Sequence, residues 1–129
     1  MYLLDTNACL DFLLLRSTTL VERLGEAFGS CSVSTITVAE LRVGNRTSAD
    51  PLEDDRKLDL FLSALDVEAF DAAAAARYGK MMRNLALKRT RFDRLIAAHA
   101  LSLGLILVTS NTSDFADVPG LKVENWTEG

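Results

Sequence analysis

Four acidic residues stand where short apolar runs give way to polar, helix-starting sequence: Asp5, Glu40, Asp93 and Asp114. Carboxylates gathered along one edge can hold a hard cation such as Mg²⁺ or Mn²⁺, which takes oxygen ligands, keeps several waters and needs only one or two direct carboxylates. Such an ion lowers the pKa of a bound water, polarises a phosphoryl oxygen and stabilises a leaving oxygen. The chain has one histidine, His99, which argues against a paired-histidine ribonuclease with one ring as base and another as acid. Each acid also has a plainer explanation. Glu40 completes a Thr37-Val38-Ala39-Glu40 capping box, and Asp93 and Asp114 are placed to cap helix starts. Asp5 differs, because it follows the apolar strand Tyr2-Leu3-Leu4 and precedes Thr6 and Asn7, either of which can cap a helix beginning near Ala8. The carboxyl ends of strands are where open α/β sheets bind ligands, so Asp5 is expected to be the first of several acids holding a metal there.

The elements that must position these acids alternate. After the first strand come helices over Ala8 to Leu15 and Ser17 to Phe28, a strand at Ser32 to Ile36, and a helix from the capping box to about Gly44. Asp50-Pro51 with Glu53 starts the next helix as an N-cap followed by proline at the first helical position. Val67 to Phe70 is a third strand, and Asp71 caps an alanine-rich helix to about Lys88 with Tyr78, Met81, Met82 and Leu85 on its buried face. A break at Thr90 to Phe92 leads to a helix opened by Asp93 and stopped at Gly104; Leu105 to Val108 is a central strand, and Leu121 to Glu124 the last one. Alternating strands and helices imply an α/β fold, a parallel sheet covered on both faces.

At 129 residues and 49% hydrophobic, the chain is the size of one domain, taken as residues 1–129, with enough apolar sequence for a core. Cys9 and Cys31 lack a Cys-x-x-Cys spacing and read as reduced core residues, with a disulfide as the minor option. No segment reaches the about 18 apolar residues of a membrane span, and Asp5 interrupts the N-terminus before a signal peptide could form, so a cytoplasmic protein is expected. The net charge of −4 argues against nonspecific wrapping of nucleic acid, yet seven of the 14 basic residues lie between Arg77 and Arg94, with Asp93 the only acid among them.

LLDTN at residues 3–7, TVAELRVG at 37–44, FDRLIAAHA at 92–100, LVTSNTSDF at 107–115 and VPGLKVENW at 118–126 together resemble the VapC branch of the PIN-domain ribonucleases, toxins of bacterial toxin-antitoxin pairs. The resemblance spans nearly the whole chain in order. It implies a PIN-like parallel sheet of about five strands between helices and an Mg²⁺- or Mn²⁺-dependent endoribonuclease cutting a structured RNA, tRNA or rRNA. Asp5, Glu40 and Asp93 fall on the family's metal-binding acids, and Asn111 falls where many PIN domains carry a fourth acid. Asn111 brings no negative charge, which leaves open whether Asp114 joins and whether one or two metals bind. The resemblance further implies a homodimer and a cognate antitoxin, VapB-like, whose C-terminal segment covers the active site.

On this reading Asp5 and Asp93 contact the metal, Glu40 holds a water near it and moves a proton, and Asn111 or Asp114 lies in the outer shell. Thr6, Asn7, Thr109 and Ser110 orient carboxylates or substrate. Arg83, Lys88, Arg89, Arg91 and Arg94 face the RNA backbone, although a solvated helix face explains any one of them. His99 reads as a packed, hydrogen-bonded residue, Arg42 as a neutraliser of nearby acids, and Trp126 as a core or interface anchor. A receiver-like phosphoacceptor would want a lysine at the end of the last strand, where Lys122 is too early. A haloacid-dehalogenase site would want Asp-x-Asp, where Asn7 is the third residue. A PIN-like module that binds RNA or a partner without cutting is the alternative function.

Overall fold

Leu3 and Leu4 sit side by side on one strand with both side chains fully buried, and because successive strand residues face opposite ways they seed two separate cores. The computed structural model describes residues 1–44, 47–85 and 92–128. Its sheet comprises Tyr2–Leu4 (β1), Cys31–Ser34 (β2), Asp66–Glu68 (β3), Ile106–Val108 (β4) and Val123–Glu124 (β5), all parallel, in the order β3-β2-β1-β4-β5. β1 is central, with Leu3 opposite Ser32 on one side and Leu107 on the other. The chain winds leftward from β1 to β3 and then crosses to β4, so the switch in direction falls between β1 and β4. That switch opens a crevice at the carboxyl ends of those two strands.

Thr6–Leu13 (α1), Thr18–Ala27 (α2), Thr35–Val43 (α3), Pro51–Ser63 (α4), Ala72–Leu85 (α5) and Phe92–Leu103 (α6) cover the sheet. On one face Leu4 and Val108 pack with Leu20, Leu24, Phe61 and Trp126; on the other Leu3 and Leu107 pack with Met81, Ile96 and Phe115. A parallel sheet buried on both faces explains why its strands are short apolar runs and not alternating ones. The fold is the single α/β domain expected from the sequence. Both cysteines are free thiols and buried, so the disulfide option is discarded. Burial raises the pKa of Cys31 to about 11 and of Cys9 well above its ordinary value, so both are poor nucleophiles.

Two helix starts differ from expectation, and both bear on the acids. α1 begins at Thr6, not near Ala8, and Asp5 itself is the cap. α3 begins at Thr35, with Ser34 as its cap accepting from the Ile36 amide at 3.0 Å, so Thr37 and Glu40 lie inside the helix and form no capping box. α1 also stops at Leu13, two residues early, because Leu15 takes a left-handed φ of 53°. The caps at Asp50 and Asp71 stand as expected, Asp71 accepting from the Ala74 amide at 3.0 Å, while Ser17, expected as the first residue of its helix, is instead the cap of α2. Met81 is buried and Tyr78 and Met82 pack beside it; residues 86–88 of the expected helix end lie outside the described residues, as does the Leu85 side chain.

Candidate active site

Asp5 closes β1 and opens α1, with extended backbone angles (φ −77°, ψ 173°) that let its Oδ1 accept the Ala8 amide at 2.7 Å. Its own amide donates to the Val108 carbonyl at 3.0 Å, which ties the ends of β1 and β4 together at the switch point. Thr109, the residue after β4, donates its hydroxyl to the Asp5 carboxylate, and Thr109 Oγ1 accepts the Asn111 amide at 3.0 Å. The residue is 2% exposed. Burial is the largest influence on its carboxyl; the two hydrogen bonds oppose it, the charges of Asp93 and Asp11 reinforce it, and the pKa is pushed up to about 6.

Glu40 approaches from α3. Having no amide to cap, its Oε1 accepts the Thr6 hydroxyl at 2.6 Å, and Thr6 Oγ1 lies 3.4 Å from Thr37 Oγ1. Asp93 is in the first turn of α6, partly buried and near enough to Asp5 for its charge to be felt there. Asn111 precedes the 3-10 turn Thr112–Phe115 and makes no side-chain cap to it, while Asp114 lies exposed within that turn with its amide on the Asn111 carbonyl at 3.0 Å. Asp93 and Asp114 are therefore first-turn acids and not the caps their positions suggest. Asn7 and Ser110 flank the cap and the end of β4 and are partly buried.

The acids share one edge without closing on a single point. Among the described residues, no group of three His, Cys, Asp or Glu side chains has the spacing to hold a metal ion. The arrangement suits a cation that keeps much of its hydration shell, with Asp5 and Asp93 as the carboxylates whose charges interact, and Glu40 held to one side by Thr6.

The basic residues divide. Arg94 grips Asp117 with both guanidinium nitrogens at 2.9 and 3.2 Å and is itself mostly covered, so it is a clamp between α6 and the segment after the 3-10 turn and no free RNA contact; its hydrogen bonds, and then its charge, hold the Asp117 carboxyl below the usual range. Arg83 is exposed near the end of α5, and Lys88, Arg89 and Arg91 lie outside the described residues. Arg42 pairs with Asp59 at 2.7 Å, as a local neutraliser would. Trp126 is a core anchor, its Nε1 donating to Glu124 at 3.0 Å, with Tyr2 against its edge and Arg23 over its face. His99 is packed as expected, its ring meeting Phe70 edge-on at 5.3 Å, and its hydrogen bonding is limited to a loose contact with the Ala69 backbone, neither buried ring nitrogen having a close partner.

Thr37 and Asp117 carry no functional weight in a reading of the sequence alone. The signal for Thr37 was its i, i+3 spacing to Glu40 on one helix face, which the capping box had absorbed. Asp117 gave no signal, since its partner is 23 residues away.

An acid-edged crevice at the switch point of a five-stranded parallel sheet marks an α/β protein with a ligand site at its strand ends, and comparison with known proteins narrows the class. The PIN domain family model matches residues 2–121. The tRNA(fMet)-specific endonuclease VapC of Shigella flexneri is 36% identical over 129 residues, covering 98% of both chains. Ribonuclease VapC2 of Haemophilus influenzae is 36% identical over 97% of both. Among solved structures, DNA-bound VapBC from Salmonella typhimurium superposes with a TM-score of 0.89 at 33% identity, over 97% of each chain, and VapBC2 from Rickettsia felis with 0.84 at 32%. The chain belongs to the PIN-domain family, in its VapC branch.

Proposed function

We propose that this chain is the endoribonuclease toxin of a toxin-antitoxin pair and that it hydrolyses a phosphodiester of a structured RNA with the aid of Mg²⁺ or Mn²⁺. The observation that carries the reading is Asp5: a carboxylate buried at the switch point, fixed by Ala8 and Thr109 and facing the charge of Asp93, costs free energy unless a cation offsets it. Asp5 and Asp93 would hold the ion, with Asn111 and Asp114 outside them. A divalent cation there would supply a Lewis acid for the phosphoryl oxygen and a more acidic water. Glu40, pinned by Thr6, is placed to accept a proton at Oε2 while Oε1 stays engaged. Asn7 and Ser110 border the crevice where the substrate phosphate would lie. tRNA(fMet) is the first substrate to test, because the Shigella relative is named for it.

A VapB-like antitoxin is the inferred partner. A groove of about 810 Å³ runs between α1, α3 and α4, lined by Leu10, Leu41 and Leu58 and by the charged Arg16, Asp54 and Lys57, with Thr6 and Glu40 also in its wall. An amphipathic segment seated there would reach the candidate site and close it. Homodimerisation and a cytoplasmic location are parts of the same proposal; no helix among the described residues is long and apolar enough to cross a membrane.

The test is induced expression of wild type beside Asp5→Asn, with RNA ends mapped by sequencing. Growth arrest and new ends are expected from the wild type alone. Equal toxicity or identical ends would leave a binding module that does not cut RNA.

A further inference from the structure

We propose that Thr37 is a positioning residue of this site, acting through the Thr6 hydroxyl on the Glu40 carboxylate. Thr37 is fully buried on α3, one turn before Glu40 and on the same face, where α3 meets the first turn of α1. Thr6 Oγ1 stands 2.6 Å from Glu40 Oε1 and 3.4 Å from Thr37 Oγ1. A hydroxyl carries one proton and two acceptor lone pairs, whereas an ionised carboxylate only accepts. The short contact therefore takes the Thr6 proton, as a charge-assisted bond does, and Thr6 has only lone pairs left to offer Thr37. The order that uses every group is Thr37 donating to Thr6 and Thr6 donating to Glu40. Such a chain polarises the Thr6 hydroxyl and keeps the long Glu40 side chain folded onto α1, where it would otherwise swing into the open groove it borders.

A threonine inside a helix can instead bond back to the carbonyl four residues earlier, a structural role that needs no Thr6. The two roles separate in a mutant cycle. Thr37→Val keeps the shape and removes the hydroxyl; Thr37→Ser keeps the hydroxyl. Proton transfer by a positioned side chain is worth about 10²- to 10⁴-fold, and misorienting Glu40 should forfeit part of that. Cleavage of tRNA by purified protein should show kcat for Thr37→Val lowered by about tenfold with KM unchanged, and Thr37→Ser near wild type. Thr6→Val should fall further, and adding Thr37→Val to it should change nothing more, since Thr37 acts only through Thr6. Wild-type kcat in Thr37→Val, or multiplicative losses in the double variant, would overturn the assignment.

The role rests on the ribonuclease reading, so a second readout is independent of activity. A crystal structure of Thr37→Val should show the Thr6–Glu40 contact lengthened from 2.6 Å and the Glu40 carboxylate displaced, and that of Thr37→Ser should show both unchanged. An unmoved Glu40 in Thr37→Val refutes the positioning role whether or not RNA is cut. A wild type that cuts no RNA refutes the ribonuclease reading while leaving the structural arm to decide this one.

Discussion

Asp5 does two jobs that pull apart under mutation. As an N-cap it accepts the Ala8 amide, a contact that asparagine reproduces and alanine does not, the latter at a cost of about 1 kcal/mol. As a buried charge it is a liability: the rise from an ordinary 3.8 to about 6 corresponds to about 3 kcal/mol disfavouring the ionised form. The folded protein then holds the Asp5 proton more tightly than the unfolded chain does. In metal-free protein this contribution therefore favours the fold below about pH 4 and is lost as pH rises through about 6. A divalent cation favours the carboxylate and should reverse the sign. Chelated wild type should consequently melt below Asp5→Asn at pH 7.5, with the gap narrowing at pH 5. Adding Mg²⁺ should raise the melting temperature of the wild type alone. If chelation and re-addition leave that temperature unchanged at pH 7.5, Asp5 is not a cation site.

The helices were legible in the sequence wherever one residue alone could cap, as at Asp50 and Asp71. Between Ser32 and Thr37 several residues can cap or extend a strand, and local chemistry does not choose among them. The choice is made by the sheet: β2 pairs with β3 only as far as Ser34 opposite Glu68, so the chain is free to turn at Thr35. Once α3 starts there, Glu40 is released from capping and becomes available to Thr6. Strand order and the meeting of Asp5 with Thr109 are likewise consequences of long-range pairing that periodicity does not encode. The same holds for the surroundings of His99, which packs as expected. α6 presses it against the connection from β3 to α5, where burial lowers its pKa and the charges of Asp71 and Glu68, with a backbone hydrogen bond at Ala69, only partly oppose. A histidine kept neutral in the fold supplies stability above its unfolded pKa of about 6.5 that is lost as pH falls through the lowered folded value. This is opposite in sign to Asp5, so the two must be separated by variants. In an Asp5→Asn background, the wild-type His99 should lose melting temperature from pH 6.5 to pH 4.5, and His99→Phe should lose less. Equal slopes would mean that the ring finds a proton acceptor in solution.

At the scale of the whole molecule, a net charge of −4 must be reconciled with binding a polyanion. Segregation does so: Arg77, Lys80 and Arg83 are all exposed on α5, while Arg94 is neutralised by Asp117 and Arg42 by Asp59. Among the described residues, part of the RNA affinity should then come from these residues on α5 and depend on salt in proportion to their number. Each phosphate contact to a single strand contributes about 0.7 to the slope of log K against log salt. With cleavage disabled by Asp5→Asn, replacing Arg77, Lys80 and Arg83 by glutamine should weaken tRNA binding and flatten that slope by about 2 across roughly 50 to 200 mM salt. Replacing Arg94 should leave the slope alone, because its guanidinium is already engaged by both carboxylate oxygens of Asp117. In the cleavage-competent protein the same triple change should raise KM and leave the position of the cut unmoved, since these residues would hold the RNA backbone and none is among the candidate carboxylates. A slope that stays constant in the triple variant, or that falls with Arg94→Gln, would put the RNA on a different face from α5.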